Sequence, residues 1–278
     1  MMSPSDEIAR LAATVDRGAG PMPADLPPAR PRGYLAVTRT PTVGFLAALP
    51  LLVLYEVGVV LANRGSGPGE IRVGADVWLK SLLAAVGVGG GLAIGGVVLL
   101  IGIGVFVAER ARRPHLVPAY FAGIVAESFL YALVLAAVVG GAVGALFGRV
   151  AWPAAPVAML IQGIPGGLGM QLALSIGAGL YEELVFRVLL VGGLAWGLRR
   201  VVKLDSTRAL LAAALVGAVV FSAVHHIGAY GEAFTLSAFT FRFLFGLALN
   251  GVFLLRGFAL AAWTHAIYDV LVVTGWFS

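Results

Sequence analysis

Apolar runs separated by short polar segments set the pattern of the chain from residue 41 onward. A membrane-spanning helix needs about 20 consecutive apolar residues. Seven stretches reach or approach this length: 43–62, part of 82–108, 117–147, 168–198, 209–226, 234–255 and 257–277. The pattern predicts an all-α fold, a polytopic membrane bundle of about 7–8 transmembrane helices, in which the eighth is a short or re-entrant span within residues 157–180.

The composition supports a multi-pass integral membrane protein. Hydrophobic residues make up 60% of the chain and charged residues 12%, whereas soluble domains carry about 25% charged residues. The lipid bilayer is therefore an expected partner, and nucleic acid is not, because basic residues in such a chain report orientation first. The absence of cysteine excludes disulfides, thiolate metal sites and cysteine nucleophiles.

Two glycine series repeat every four residues inside the apolar runs. They are Gly87, Gly91 and Gly95, and Gly140, Gly144 and Gly148. Small residues at this spacing let membrane helices approach closely, so the series predict two packing faces.

The two polar regions outside the apolar runs differ in what they predict. Residues 1–40 are polar and proline-rich, which favours a flexible tail. No short basic segment followed by an apolar core begins the chain, so we expect no cleavable signal peptide. Residues 149–167 contain three prolines and are expected to form a loop with interfacial pieces.

Basic residues cluster on alternate connections between the apolar runs. One set holds Arg30, Arg32, Arg39, Arg110, Arg112, Arg113, Arg199, Arg200, Lys203, Arg208 and Arg256. The other set holds Arg64, Arg72 and Arg149. Because Lys and Arg are enriched in cytoplasmic loops, the asymmetry predicts a cytoplasmic N-terminus. The expected location is the plasma (inner) membrane. With seven spans the C-terminus would lie outside.

Residues 180–187 place charge inside an apolar run, as Glu182, Glu183 and Arg187. A charge at the centre of a membrane helix costs roughly 2.5–3.5 kcal/mol on insertion scales, so such residues are functional candidates. Glu183 and Arg187 are four apart and share a helix face, which predicts an ion pair. Glu182 is turned about 100° away from Glu183, which leaves it free for chemistry.

Two later apolar stretches also contain rare polar side chains. Phe221 and His225 lie four apart in the fifth predicted helix, and His265 and Asp269 lie four apart in the seventh. Taken singly, each histidine can be a helix–helix hydrogen bond and Asp269 a partner of His265. His226 is turned about 100° from His225 and is interpreted as interfacial.

Two carboxylates in earlier apolar runs, Glu56 and Glu127, complete the set of candidate polar groups. The sequence does not name their partners. Glu127 either pairs with a polar group of another helix or contributes to a site.

The polar groups of the last three stretches together favour water activation. They are Glu182, Glu183, Arg187, His225, His265 and Asp269. A carboxylate in a low-dielectric site is a stronger base than one in water, and a histidine opposite it can hold the same water. A second histidine can donate a hydrogen bond to a developing oxyanion.

The order of these motifs resembles that of a known family. Glu-Glu-x-x-x-Arg at 182–187, Phe-x-x-x-His at 221–225 and His-x-x-x-Asp at 265–269 are similar to the pattern of the CaaX-protease and bacteriocin-processing (CPBP, or Abi) intramembrane proteases. The best-known members are the type II CaaX prenyl endopeptidases. The resemblance covers about residues 168–277. It implies a hydrolase, with its site in an intramembrane cavity, that cleaves membrane-associated or prenylated CaaX-type peptides and proteins.

The apolar pattern together with the resemblance divides the chain into three parts, and the resemblance implies a role for each motif residue. The divisions are a cytoplasmic tail (1–40), N-terminal membrane helices (41–150) and a CPBP-like catalytic membrane core (151–278). Glu182 would activate the water that His225 holds, with supporting electrostatics from Glu183 and Arg187. His265 and the residue at 269 would stabilise the oxyanion.

Position 269 departs from the family pattern, because many members have asparagine there. Asp269 can donate a hydrogen bond only when it is protonated. Either Asp269 is neutral in its pocket, or it orients His265, which then donates alone.

The use of a metal is a separate question. Glu182, His225 and His265 could form a Glu-His-His set for a catalytic zinc ion. The His-Glu-x-x-His motif is absent, and a glutamate mechanism needs no metal. The favoured interpretation is therefore metal-free, and no other cofactor is assigned.

Two other function classes compete with a protease. One is a non-enzymatic membrane immunity or partner-binding protein that retains the polar cluster. The other is a proton-coupled transporter, because intramembrane Glu and His can relay protons. The hydropathy shows no inverted repeat of the kind that supports a transporter.

The predicted helix ends place the two motif histidines at different depths. His225 lies roughly 24 Å and His265 roughly 12 Å from the proposed cytoplasmic ends. Straight, untilted helices with these ends cannot bring the two together. Tilt, a break at Gly192-Gly193 or a later start of the fifth helix is expected to absorb the difference.

Overall fold

The computed structural model describes residues 31–64, 70–89, 91–111, 114–148, 167–228 and 231–277. These ranges form helices and no strand. The first five helices are α1 (Tyr34–Thr38), α2 (Pro41–Ala62), α3 (Gly74–Ala85), α4 (Gly91–Ala108) and α5 (Pro118–Phe147). Helix α6 runs without a break through Gly167–Gly177, Ala178–Glu182, Leu184–Gly192 and Gly193–Arg200. The last three are α7 (Ser206–Val224), α8 (Leu236–Arg256) and α9 (Phe258–Val273).

Within the described ranges, α2, α5, α7 and α8 are long and apolar enough to cross a membrane. Residues Gly96–Ala108 of α4 and the whole of α9 are shorter apolar helices. Each of the seven predicted apolar stretches contains one of these helices or α6. The predicted all-α membrane bundle is therefore confirmed. The predicted loop at 149–167 and much of the extra span within 157–180 lie outside the described residues.

The stretch 82–108 is two helices rather than one. Helix α3 ends at Ala85 and α4 begins at Gly91. Gly87, in the turn between them, has φ +84°, a left-handed conformation that glycine adopts without steric cost. Gly148 likewise has φ +78° and follows the end of α5. Neither glycine series therefore forms one continuous helix face, which corrects the prediction from spacing.

Helix α9 lies at the centre of the bundle. It has 16 residues, of which 11 are buried. It contributes side chains to each of the three largest apolar clusters of the described residues. Small side chains such as Ala262 and Ala266 let its neighbours approach closely.

The short helix α1 packs against the bundle, although the sequence assigned it to the flexible tail. The other tail residues, 1–30, lie outside the described ranges. Arg256, at the end of α8, donates hydrogen bonds to Leu35 O and Thr38 Oγ1 and forms a 2.6 Å ion pair with Glu127. Burial and a hydrogen bond to Glu127 raise the pKa of Tyr34. Arg256 thus connects α8 with α1 and α5 inside the bundle rather than lying free in a loop, and Glu127 is its ion-pair partner.

Glu56, the other carboxylate of the early apolar runs, also pairs across helices. It accepts hydrogen bonds from Arg72 at 3.2 Å and from the Tyr181 hydroxyl at 3.2 Å. Burial alone would lower the pKa of Arg72, but its hydrogen bonds to Glu70, Glu56 and Asp76 outweigh burial and raise that pKa. The network ties α2 and α3 to α6.

We expect Gly179→Ala to loosen the contact between α6 and α9. A Cβ at this position would lie 2.5 Å from Ala266 Cβ and 2.6 Å from the Ala262 carbonyl oxygen. Overpacking of this kind costs about 1–3 kcal/mol. The measurement is the unfolding free energy of the purified protein in detergent.

Gly193→Ala in the same helix is the matched control. A Cβ at Gly193 meets nothing within 4 Å, and replacing a helical glycine with alanine stabilises by roughly 0.5–1 kcal/mol. Equal stabilities of the two variants would contradict the close approach of α6 and α9.

Candidate active site

Helix α6 is widened where it carries the charged motif. Ala178–Glu182 and Leu184–Gly192 are π-helical, and Glu183 lies between them. Such turns are rare and occur frequently at functional sites. Gly192 and Gly193 keep helical φ angles of −62° and −63°, and the helix continues to Arg200. A break at Gly192-Gly193, one of the three alternatives for the histidine depths, is therefore not present.

Glu183 and Arg187 form the ion pair that their spacing predicted. Arg187 Nη1 lies 3.0 Å from Glu183 Oε1, and the two side chains are 1% and 0% exposed. The Arg187 guanidinium also lies over the Phe221 ring, 4.5 Å from its centroid, and donates a long 3.5 Å hydrogen bond to Gly246 O. One cation thereby connects α6 with α7 and α8.

His265 shares the Glu183 carboxylate with Arg187. Its Nδ1 lies 2.7 Å from Glu183 Oε1. Because an ionised carboxylate only accepts hydrogen bonds, Nδ1 carries the proton. The other ring nitrogen, Nε2, lies 3.5 Å from Asp269 Oδ2. The short bond that orients His265 thus comes from Glu183, a partner that sequence spacing could not indicate.

Glu182 faces a different histidine. Its Oε2 lies 3.5 Å from His225 Nε2, and the two side chains are 16% and 17% exposed. His225 Nδ1 lies 2.6 Å from the Phe221 carbonyl oxygen. A carbonyl only accepts, so Nδ1 is the donor and Nε2 of the neutral ring is left as an acceptor. Two acceptors face each other, and Glu182 Oε2 has no hydrogen-bond partner among the described residues.

The Phe221 ring brings the two motif histidines together. Its centroid is 4.6 Å from that of His225 and 6.1 Å from that of His265. Helix α7 ends at Val224, and His225 is its C-cap. His265 lies near the middle of α9. The two histidines therefore meet on one ring although they lie at different distances from the starts of their helices. The fifth helix starts earlier than predicted, at Ser206, rather than later.

The described residues do not present a metal-binding set. No group of three or more His, Asp or Glu side chains among them is arranged to hold an ion. Among these residues the Glu182–His225–His265 zinc set is therefore not assembled.

His226 lies beside the site but contacts other residues. Its Nδ1 donates to Glu232 O at 3.0 Å, and its ring stacks on Phe239 with centroids 6.1 Å apart. The side chain is half-buried between α7 and α8.

Two charged residues near the site were missed by the sequence analysis. Arg242 Nε lies 3.1 Å from Glu232 Oε2, and their side chains are 11% and 9% exposed. The charge of Arg242 acts on Glu182, His225 and Asp269. The only available signal was a lone arginine inside the apolar run of α8.

A family model matches the part of the chain that holds the three motifs. Residues 164–271 match the family model described as type II CAAX prenyl endopeptidase Rce1-like. The matched range contains every candidate site residue. No curated protein and no solved structure matches the chain.

Proposed function

We propose that this chain, whose residues 164–271 form a domain of the type II CAAX prenyl endopeptidase Rce1-like family, is an intramembrane endopeptidase with Glu182 as its general base. One observation carries the proposal. Glu182 Oε2 faces His225 Nε2 across 3.5 Å, while the neighbouring Glu183 contacts both Arg187 and His265 through its Oε1. The paired carboxylate is structural, and the free one is left for chemistry.

The gap between Glu182 and His225 suits a water molecule. Both facing atoms accept hydrogen bonds, and a water oxygen about 2.8 Å from each fits across a 3.5 Å gap. Such a water donates both of its hydrogens and points a lone pair outward. That lone pair is the nucleophile that a peptide carbonyl would meet.

The reaction then needs one base and one oxyanion donor. The water oxygen bonds to the carbonyl carbon as its proton passes to Glu182. His265, held at Nδ1 by Glu183, offers Nε2 toward the developing oxyanion when the ring is protonated. The C–N bond breaks as Glu182 returns the proton to the leaving nitrogen. Two products result, a new carboxylate and a new amine.

Membrane-associated peptides are the proposed substrate class. Large apolar side chains are exposed along the described helices, as expected where lipid covers them. A prenylated CaaX-type peptide suits such surroundings, and so does an unmodified peptide of a membrane protein. We assign the catalytic unit to residues 151–278, and the family match over residues 164–271 supports this assignment.

The test uses the full chain in lipid nanodiscs with prenylated and unmodified CaaX-type peptides. In ¹⁸O-labelled water each cleavage by direct attack places one ¹⁸O in the new carboxyl group, which mass spectrometry detects. Two negative results together would refute the proposal. The wild type would cleave neither peptide, and no membrane protein would be cleaved with the wild type present but left intact with Glu182→Ala. Ion-dependent flux in vesicles would then favour a transporter, and a partner-binding role unchanged by Glu182→Ala would favour a non-enzymatic protein.

Asp269→Asn is expected to retain proteolysis at wild-type level or to increase it. Asp269 Oδ2 lies 3.5 Å from His265 Nε2, so a side-chain amide there supplies a hydrogen-bond donor that needs no protonation. The kcat for peptide cleavage is the measurement. Complete loss of activity in a folded variant would show that the carboxylate itself is required and would sink the donor role of residue 269.

A further inference from the structure

Glu232 and Arg242 form an ion pair next to the candidate site but outside its three motifs. The two charged groups lie 3.1 Å apart, and their side chains are 9% and 11% exposed. Glu232 belongs to the segment between α7 and α8, and Arg242 to α8. Removing two charges from water has a desolvation penalty that can exceed their mutual attraction. An ion pair buried to this extent is therefore weak evidence for a contribution to stability.

The main chain of Glu232 holds the end of α7. Its N–H donates to His225 O at 2.8 Å. Its own carbonyl accepts from His226 Nδ1 at 3.0 Å. Because α7 ends at Val224, His225 has no following helical turn to hold it. The residue that replaces this turn is Glu232, and the Glu232 side chain is anchored to α8 by Arg242.

The same arginine is electrostatically coupled to the reacting groups. The charge of Arg242 acts on Glu182, His225 and Asp269. Its only hydrogen bond within the described ranges uses Nε. Arg242 is thus connected to His225 through Glu232, and its positive charge also acts on the reacting groups.

We propose that Glu232 and Arg242 are positioning residues that hold His225 against Glu182. The inference rests on the proposed function for its catalytic consequence. The mechanical part, that Glu232 and Arg242 fix the main chain of His225 and thereby place its ring, holds independently of any reaction.

The kinetic test compares Glu232→Gln with Glu127→Gln in nanodiscs, using a prenylated CaaX-type peptide. Glu127 is a matched control, because it pairs with Arg256 at the opposite end of α8, with side chains 16% and 10% exposed. A misplacement of about 1 Å costs roughly 10²-fold in rate. We therefore expect Glu232→Gln to lower kcat by about tenfold or more, with KM changed by less than about threefold. Glu127→Gln should leave the kcat of the folded protein unchanged. Arg242→Lys, which keeps the positive charge facing Glu232, should lower kcat by less than Glu232→Gln does.

A second measurement decides the inference even if no peptide is cleaved. The chain has four histidines, so ¹⁵N-histidine NMR can be assigned by substituting them one at a time. We expect Glu232→Gln to shift the His225 ring resonances and Glu127→Gln to leave them in place. Unmoved His225 resonances with wild-type kcat would overturn the inference. An inactive wild type with shifted resonances would refute the proposed function alone.

Discussion

Glu182→Gln should greatly slow peptide cleavage while leaving the protein folded. Glutamine keeps the size of the side chain and can still contact a water, but it cannot take a proton. General-base catalysis contributes roughly 10²–10⁴-fold, and we expect a loss of kcat in this range. The measurement is the initial rate of cleavage in nanodiscs, with peptide binding measured separately.

Stability and binding separate this result from misfolding. Glu182 makes no ion pair with Arg187, because that partner belongs to Glu183. The unfolding temperature of Glu182→Gln should therefore match that of the wild type, and the variant should still bind the peptide. Wild-type kcat in Glu182→Gln would remove Glu182 from the reaction.

Local spacing predicted the parts of the site that lie on one helix. Glu183 and Arg187 are four apart and pair at 3.0 Å, as helical geometry requires. The same rule turned Glu182 away from that pair. An i,i+4 relation depends only on the turn of the helix, so no knowledge of the neighbouring helices was needed.

Contacts between helices could not be predicted in the same way. The bond between His265 and Glu183 joins residues 82 positions apart. Periodicity shows which face of a helix is polar, but it does not show how deep the helix sits or what it meets. The depths of His225 and His265 were therefore misjudged, although both were identified as candidates.

The fold was predicted to a similar extent. Apolar length located each membrane helix, because the bilayer imposes that length. The break at Gly87 was missed, since its neighbours continue the apolar run and only the backbone angle distinguishes it. The pairing of Arg256 with Glu127 was missed because a basic residue at a helix end is the usual sign of a cytoplasmic loop.

In the proposed mechanism the two carboxylates of the motif have separate tasks that depend on each other. Glu183 compensates Arg187 and holds His265, and both side chains of the pair are removed from solvent. Glu182 can remain unpaired in the same helix because its neighbour already balances the buried cation. Removing Glu183 or Arg187 should consequently lower the stability of the protein and, as a result, displace the histidine side chains.

Arg187→Met should give the largest loss of stability of any single variant considered. The substitution leaves Glu183 as a buried carboxylate without its cation, and breaking such a pair costs about 3–5 kcal/mol. It also removes the guanidinium from the Phe221 ring, against which His225 and His265 pack. The measurement is the unfolding free energy in detergent.

Two further variants make this prediction specific to the buried charge. Arg208→Met removes an arginine whose pair with Asp205 is 80% and 54% exposed, and such surface pairs contribute only about 0–1 kcal/mol. The double variant Glu183→Gln, Arg187→Met should recover most of the lost stability, because a neutral amide needs no counter-ion. The double variant should nevertheless cleave peptide more slowly than the wild type, since His265 has lost its carboxylate partner. Equal stabilities of Arg187→Met and Arg208→Met would show that the Glu183–Arg187 pair does not stabilise the bundle.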